Sequence, residues 1–343
     1  MKLGVLGFAH GHYGAYCTRW REDKGLGIDV VAGWDHDDAR LKAAGGNHGI
    51  EARDSADELL RDRSIEAVLI TSETSLHAEL AEKAANAKKA IILQKPIALT
   101  LEEADRIINA VEKNGVPFTL AWQMRVDPEN LKMKELVDSG ELGRLFMVRR
   151  RHTLNFCLPD SCTSSWHVQA QYNRDIWADD AAHPIDFLYW MLGRPASVTA
   201  ELGTLLRDSV PNDNGIAIFR YPSGLIAEVV CSFVCRGGEN TVEITSENGA
   251  VIQNYGDAVT APLRPEGVPA LKWRFAGDTD WRSGEFPVFR NQGERLANLA
   301  RPLSDFLHGK RPALATARDG REVLRYVIAC YESNEKGVRI RLN

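Results

Sequence analysis

The stretch Lys2-Leu3-Gly4-Val5-Leu6-Gly7-Phe8-Ala9-His10-Gly11-His12-Tyr13-Gly14 decides the fold. An apolar strand candidate, Leu3 to Leu6, runs directly into glycine and then into a segment able to open a helix. A βαβ unit presents a Gly-rich turn to a dinucleotide pyrophosphate in this way. In the G-x-G-x-x-G register that starts at Gly7, Ala9 stands for the second glycine and His12 for the third. Backbone approach to a phosphate is altered accordingly, and the turn alone fits a plain strand-to-helix connection as well as a cofactor site made by Gly7, Phe8, Ala9, His10 and His12. Asp35 tips the balance. It ends the second apolar run about 20 residues past the glycines, where a carboxylate accepts hydrogen bonds from the adenosine ribose hydroxyls. A carboxylate there repels a 2'-phosphate, so NAD is expected rather than NADP unless His36 or Arg40 swings in to compensate. The competing use of Asp35 is as cap of a helix beginning near Asp38. His10 and His12 raise the question of a metal, but no third ligand is near them in sequence and none is expected.

Working outward, short apolar runs alternate with amphipathic stretches as far as Trp122. Strand candidates are Leu3–Leu6, Ile28–Ala32, Ala67–Ile70, Ala90–Leu93 and Phe118–Ala121. Helix candidates are Ser55–Arg61, Ser75–Ala87 and Thr100–Asn114, the last opening with a Thr100/Glu103 capping box. Alternation of this kind predicts a parallel, doubly wound α/β sheet, here a Rossmann dinucleotide-binding domain over residues 1–122. Beyond it the rhythm changes. Strand patterns at Leu145–Leu154, Ser197–Leu205, Gly215–Arg220, Leu225–Val234 and Thr241–Ser246 are separated by turn signals such as Tyr221-Pro222-Ser223-Gly224 and Glu247-Asn248-Gly249. Helices are expected over Pro128–Ser139, Asp180–Leu192 and Gly320–Ser333, and a loop over Thr260–Gly267. Residues 123–343 are thus expected to form an α+β domain with a large open, mostly antiparallel sheet.

Composition excludes several classes. With 343 residues, 44% hydrophobic and 26% charged, the chain can bury cores without metal or disulfide support. A net charge of -5 does not favour nucleic acid or an anionic membrane surface. No export segment and no run of roughly 18 apolar residues is seen, so a cytoplasmic protein is expected. The six cysteines contain no C-x-x-C pair and read as reduced thiols.

Several further motifs occur in order along the chain: Ile70-Thr71-Ser72-Glu73-Thr74-Ser75-Leu76-His77; Gln94-Lys95-Pro96; Arg125 and Pro128; Ser139-Gly140-Glu141-Leu142-Gly143; Trp166; and Asp179-Asp180-Ala181-Ala182-His183-Pro184-Ile185-Asp186. Together with the glycine turn and Asp35 they resemble the Gfo/Idh/MocA family of oxidoreductases over nearly the whole length, including its I-A-T-P-x-x-x-H and E-K-P segments. The resemblance implies that Thr71, Ser72, Glu73, His77, Gln94, Lys95 and Pro96 line the cofactor. It also implies that Lys95 sits beside the nicotinamide, that His183 is the acid/base and that Asp179 supports it. Asp186, one turn beyond His183, is either a support or a structural hydrogen-bonding group. Resembling proteins pair the open sheet face with further subunits, so a homodimer or homotetramer is expected.

The chemistry agrees with that assignment. Oxidising an alcohol needs a base for the hydroxyl proton while hydride leaves carbon, and imidazole suits that task. An ammonium beside the oxygen stabilises developing alkoxide character. Asp179 and His183 are four apart and share a face if the stretch is regularly helical. Taken singly, Lys95 also fits a solvated strand end, and Asp179 or His183 a helix start. Trp122, Gln123, Arg125 and Trp166 join Asp179 and His183 as candidate substrate residues, since aromatic planes stack on sugar faces and planar polar groups bind paired hydroxyls; for the tryptophans a core role competes. Gln94 stands where the family has Glu, Glu73 where it has Pro, and Trp177-Ala178 where glycines are usual. The expected function is hydride transfer between NAD and a ring hydroxyl of a sugar, glycoside or cyclitol. The alternatives are an NAD-dependent glycosidase acting by transient oxidation and elimination, and a non-catalytic cofactor-binding regulator.

Overall fold

The structure is a computed structural model that describes residues 1–238, 240–256 and 264–342. The chain forms two compact units. One comprises Met1–Gln123, Gln171–Asn173 and Gly293–Leu324, and the other Met124–Ala170, Arg174–Gln292 and Arg325–Asn343.

The first unit holds a parallel sheet of six strands: β1 (Lys2–Leu6), β2 (Asp29–Trp34), β3 (Glu51–Ala52), β4 (Ala67–Ile70), β5 (Ala90–Leu93) and β6 (Phe118–Leu120). Their spatial order is β3-β2-β1-β4-β5-β6. This is the doubly wound Rossmann arrangement, with the order reversing between β1 and β4. β4 and β5 are buried at every position, as strands covered on both faces must be. The Thr100/Glu103 capping box forms and starts the helix Leu101–Asn114, which stops at Gly115. The expected helix from Ser75 begins later, at His77, after a 3₁₀ turn over Thr74–Leu76. The segment after residue 293 closes the far edge. Leu314 N–H donates to Thr119 Oγ1 at 2.9 Å and Leu120 N–H to Ala315 O at 2.9 Å, so β6 is not left as a bare edge.

Among the described residues the second unit is built on nine strands: β7 (Leu145–Thr153), β8 (Ser197–Gly203), β9 (Asn214–Arg220), β10 (Ile226–Ser232), β11 (Thr241–Ser246), β12 (Gly249–Gln253), β13 (Leu271–Phe275), β14 (Arg282–Ser283) and β15 (Ile340–Arg341). The order is β14-β13-β12-β11-β7-β10-β9-β8-β15, and every pair is antiparallel except β7 with β10. Alternation sets the faces: Gly215, Ala217 and Phe219 of β9 point into the core while Ile216 and Ile218 point out. The helix Ala182–Leu192 covers the inner face, with the Arg150 guanidinium 5.0 Å above the Phe187 ring. Residues 260–263 of the expected Thr260–Gly267 loop lie outside the described residues.

Candidate active site

At the mouth of β1, Gly7 adopts φ +83°, and a Cβ there would lie 2.6 Å from Ser72 N. The β1 turn and the loop after β4 therefore touch backbone to backbone, tied by Thr71 Oγ1 donating to Gly7 O at 2.5 Å and His10 N–H to Thr71 O at 2.9 Å. Replacing Gly7 with alanine adds overpacking to a left-handed backbone and should cost roughly 2–4 kcal/mol, read by denaturant unfolding. A loss under about 0.5 kcal/mol would contradict this close approach.

The helix His12–Glu22 follows with Gly11 as its N-cap, no side-chain cap and no acid in its first turn. That end is electropositive and uncrowded by carboxylates, as a pyrophosphate requires. His10 and His12 meet edge to face at 4.2 Å, and Gln94 Nε2 lies 3.2 Å from His12 Nδ1 and donates to Tyr16 Oη at 3.3 Å. The amide at the position where the resembling motif has Glu thus braces the glycine turn. Phe8 is buried and packs edge-on against Tyr13.

Asp35 is buried at the end of β2. It does not cap the following helix: Asp37 does, accepting from Ala39 and Arg40 N–H. Asp35 Oδ2 accepts Phe8 N–H at 2.6 Å, and Oδ1 accepts Asp37 N–H at 2.8 Å and Arg40 at 3.0 Å. The Asp35 side chain is fully buried, with one donor on Oδ2 and two on Oδ1. The turn, the uncapped helix end and this carboxylate together fit a dinucleotide.

His77, expected along the cofactor, braces two loops. Its Nδ1 lies 2.8 Å from Pro96 O and its Nε2 3.3 Å from Ser72 O. Burial drives its pKa down to about 4, so it is neutral at pH 7 and its one N–H is taken by backbone. Lys95 is buried directly after β5, its own N–H donating to Gln94 Oε1 at 3.1 Å. Trp122 and Gln123 close the same unit, both buried, and Gln123 Oε1 has no hydrogen-bond partner among the described residues.

In the second unit the helix expected over Asp180–Leu192 is observed from Ala182. Trp177–Ala181 is a π-helical turn, and the α-helix begins only at Ala182. Asp180 Oδ1 lies 3.7 Å from His183 Nε2. Asp179 and His183 are both buried, and the His152 ring lies 5.8 Å from that of His183. Two features shape the turn. Trp177 seats its ring on the backbone of Gly215, where a Cβ would lie 2.5 Å from the ring, and Asp175 accepts Ala178 N–H at 3.0 Å. Asp175, not singled out in the sequence, also accepts the Tyr331 hydroxyl and Asn212 Nδ2 at 2.7 Å. Burial outweighs these bonds and raises its pKa. Its signal was an acid two residues ahead of Trp177, the place of a turn cap.

Arg125, a candidate substrate residue, forms a buried fork with Asp186: Nε to Oδ2 at 3.0 Å and a terminal nitrogen to Oδ1 at 2.6 Å. One edge of its guanidinium is therefore structural, and Asp186 is its counter-ion. Trp166 stacks on His167 at 3.9 Å and is only half-buried.

Residues 1–121 match the model of an oxidoreductase family with an NAD-binding Rossmann fold, and residues 130–252 that of the GFO/IDH/MocA C-terminal domain. The inositol 2-dehydrogenase of Salmonella typhimurium is 30% identical over 98% of this chain and 95% of that protein. The chain belongs to the GFO/IDH/MocA family. It is accordingly an NAD-dependent oxidoreductase. The D-apiose dehydrogenase of Paraburkholderia graminis is 27% identical over 99% of this chain and 88% of that protein. The fold matches levoglucosan dehydrogenase, solved with NADH, at a TM-score of 0.85 and 21% identity over 100% of this chain and 99% of that one.

Proposed function

We propose that this chain oxidises a ring secondary hydroxyl of a sugar, glycoside or cyclitol, or reduces the corresponding ketone. The observation that carries this reading is the full-length similarity to inositol 2-dehydrogenase, a protein named for cyclitol oxidation. Bound NAD supplies the hydride acceptor. Gly7, Phe8, Ala9, His10 and His12 hold its pyrophosphate end, Asp35 and His36 its ribose end, and Thr71, Ser72, Glu73, Gln94 and Pro96 shape the loops around it. Lys95 holds a positive charge, largely shielded from water, for the substrate oxygen as it becomes alkoxide-like. His183 takes the hydroxyl proton on a ring nitrogen. Asp179 orients that ring or binds a neighbouring hydroxyl, and Trp122, Gln123, Arg125 and Trp166 select the substrate.

Residues 1–122 serve the cofactor in this reading, and residues 123–343 the substrate and self-association. The outer face of the nine-stranded sheet, where Phe146, Met147, Ile216 and Ile218 are between 39% and 45% exposed, supports pairing into a homodimer or homotetramer. Cytoplasmic residence is supported by six cysteines without disulfides, including Cys157 and Cys162 with sulfurs 3.1 Å apart. Among the described residues no helix is long and apolar enough to cross a membrane.

Mixing the protein with NAD and a panel of myo-inositol, D-apiose, levoglucosan and related polyols should produce NADH with at least one of them. Release of an aglycone from a glycoside without net NADH, or tight NAD binding with no turnover of any panel member, would count against the reading.

A further inference from the structure

We infer that Glu73 is a positioning residue that makes this enzyme select NAD over NADP by holding Arg40 away from a 2'-phosphate. The inference rests on the cofactor reading above. Arg40 is the cation best placed at the ribose end of the site, in the first turn of the helix Asp38–His48 and bonded to Asp35. An NADP-binding site needs such a guanidinium free to form a fork with phosphate. Here it is already committed. One terminal nitrogen lies 2.7 Å from Glu73 Oε1, the other 3.0 Å from Asp35 Oδ1, and Nε lies 3.7 Å from Asp37.

Glu73 also engages His36. His36 Nε2 lies 3.1 Å and 3.2 Å from its two oxygens. Three carboxylates therefore face one guanidinium where a dianionic phosphate would have to sit. The Glu73 side chain is only 4% exposed, against 45% for Asp37, so swinging Arg40 onto a phosphate would strand a buried carboxylate without its partner. Burial alone would raise the Glu73 pKa, but hydrogen bonds from its own backbone, Arg40 and His36 outweigh it and the net shift is downward, keeping the group ionised. Proline, usual at this position in the resembling motif, has no group with which to hold Arg40.

The test is fluorescence titration of the full-length protein with NADH and NADPH, which needs no substrate. The wild type should bind NADH more tightly. Glu73→Gln should raise the ratio of NADPH to NADH affinity by about tenfold or more. Glu73→Ala should act in the same direction, and adding Arg40→Ala to Glu73→Gln should erase the gain. Unchanged selectivity in both Glu73 variants, or a gain that survives loss of Arg40, overturns the inference while leaving the cofactor reading intact. A wild type that binds neither nucleotide overturns both.

Discussion

Lys95→Ala should lower kcat by about two to three orders of magnitude, and His183→Ala by a factor of about 10² to 10⁴, with NADH affinity changed by less than about threefold in each. The two losses have different physical origins. Lys95 is 2% exposed, and in such a setting an ammonium acts on a developing alkoxide with little screening by water. Its removal takes away stabilisation that is stronger in the transition state than in the ground state, so kcat falls rather than substrate affinity alone. In the proposed mechanism His183 is the proton acceptor, a task suited to imidazole. Without it the proton must pass to water, and added imidazole should restore part of the activity of His183→Ala but not of Lys95→Ala. Turnover within about tenfold of wild type in either variant would remove that residue from the mechanism.

Asp186→Ala should destabilise the second unit by about 3–5 kcal/mol. The Asp186 side chain is fully buried and that of Arg125 is 7% exposed, so deleting the carboxylate leaves a guanidinium enclosed without its counter-ion. Coulombic attraction in such a site largely offsets desolvation while the pair is intact, which is why losing half of it is worse than losing both. The double replacement Arg125→Met with Asp186→Leu should therefore recover most of the lost stability. Urea unfolding followed by fluorescence checks both variants. A single-variant loss below about 1 kcal/mol would show that the fork is not structural.

How far these features were legible varies with the range of the forces behind them. The parallel sheet was visible because β4 and β5 are continuous apolar runs, and the helix from Leu101 because its capping box lies within four residues. The strand Thr241–Ser246 also stood out by local pattern. β14 and β15 are two residues each and take their form from the strands beside them, leaving no pattern of their own. The π-helical turn could not be read either, since Trp177 seated on Gly215 shapes it from across the fold. Among the site residues, Asp35 was legible by its distance from the glycine turn. The engagement of Arg40 with Glu73 joins groups far apart in sequence and left no local signal. His77 belongs to a recognisable motif, yet only the Pro96 and Ser72 carbonyls around it reveal a brace.

The central claim is direct hydride transfer from a ring carbon of a polyol to NAD. The measurement that tests it most directly uses myo-inositol or another panel polyol carrying deuterium on its ring carbons, with mass analysis of the nucleotide formed. One deuterium per NADH, matched one to one by a ring ketone, is the predicted result. NADH without deuterium, or consumption of the polyol with no reduced nucleotide, would contradict it.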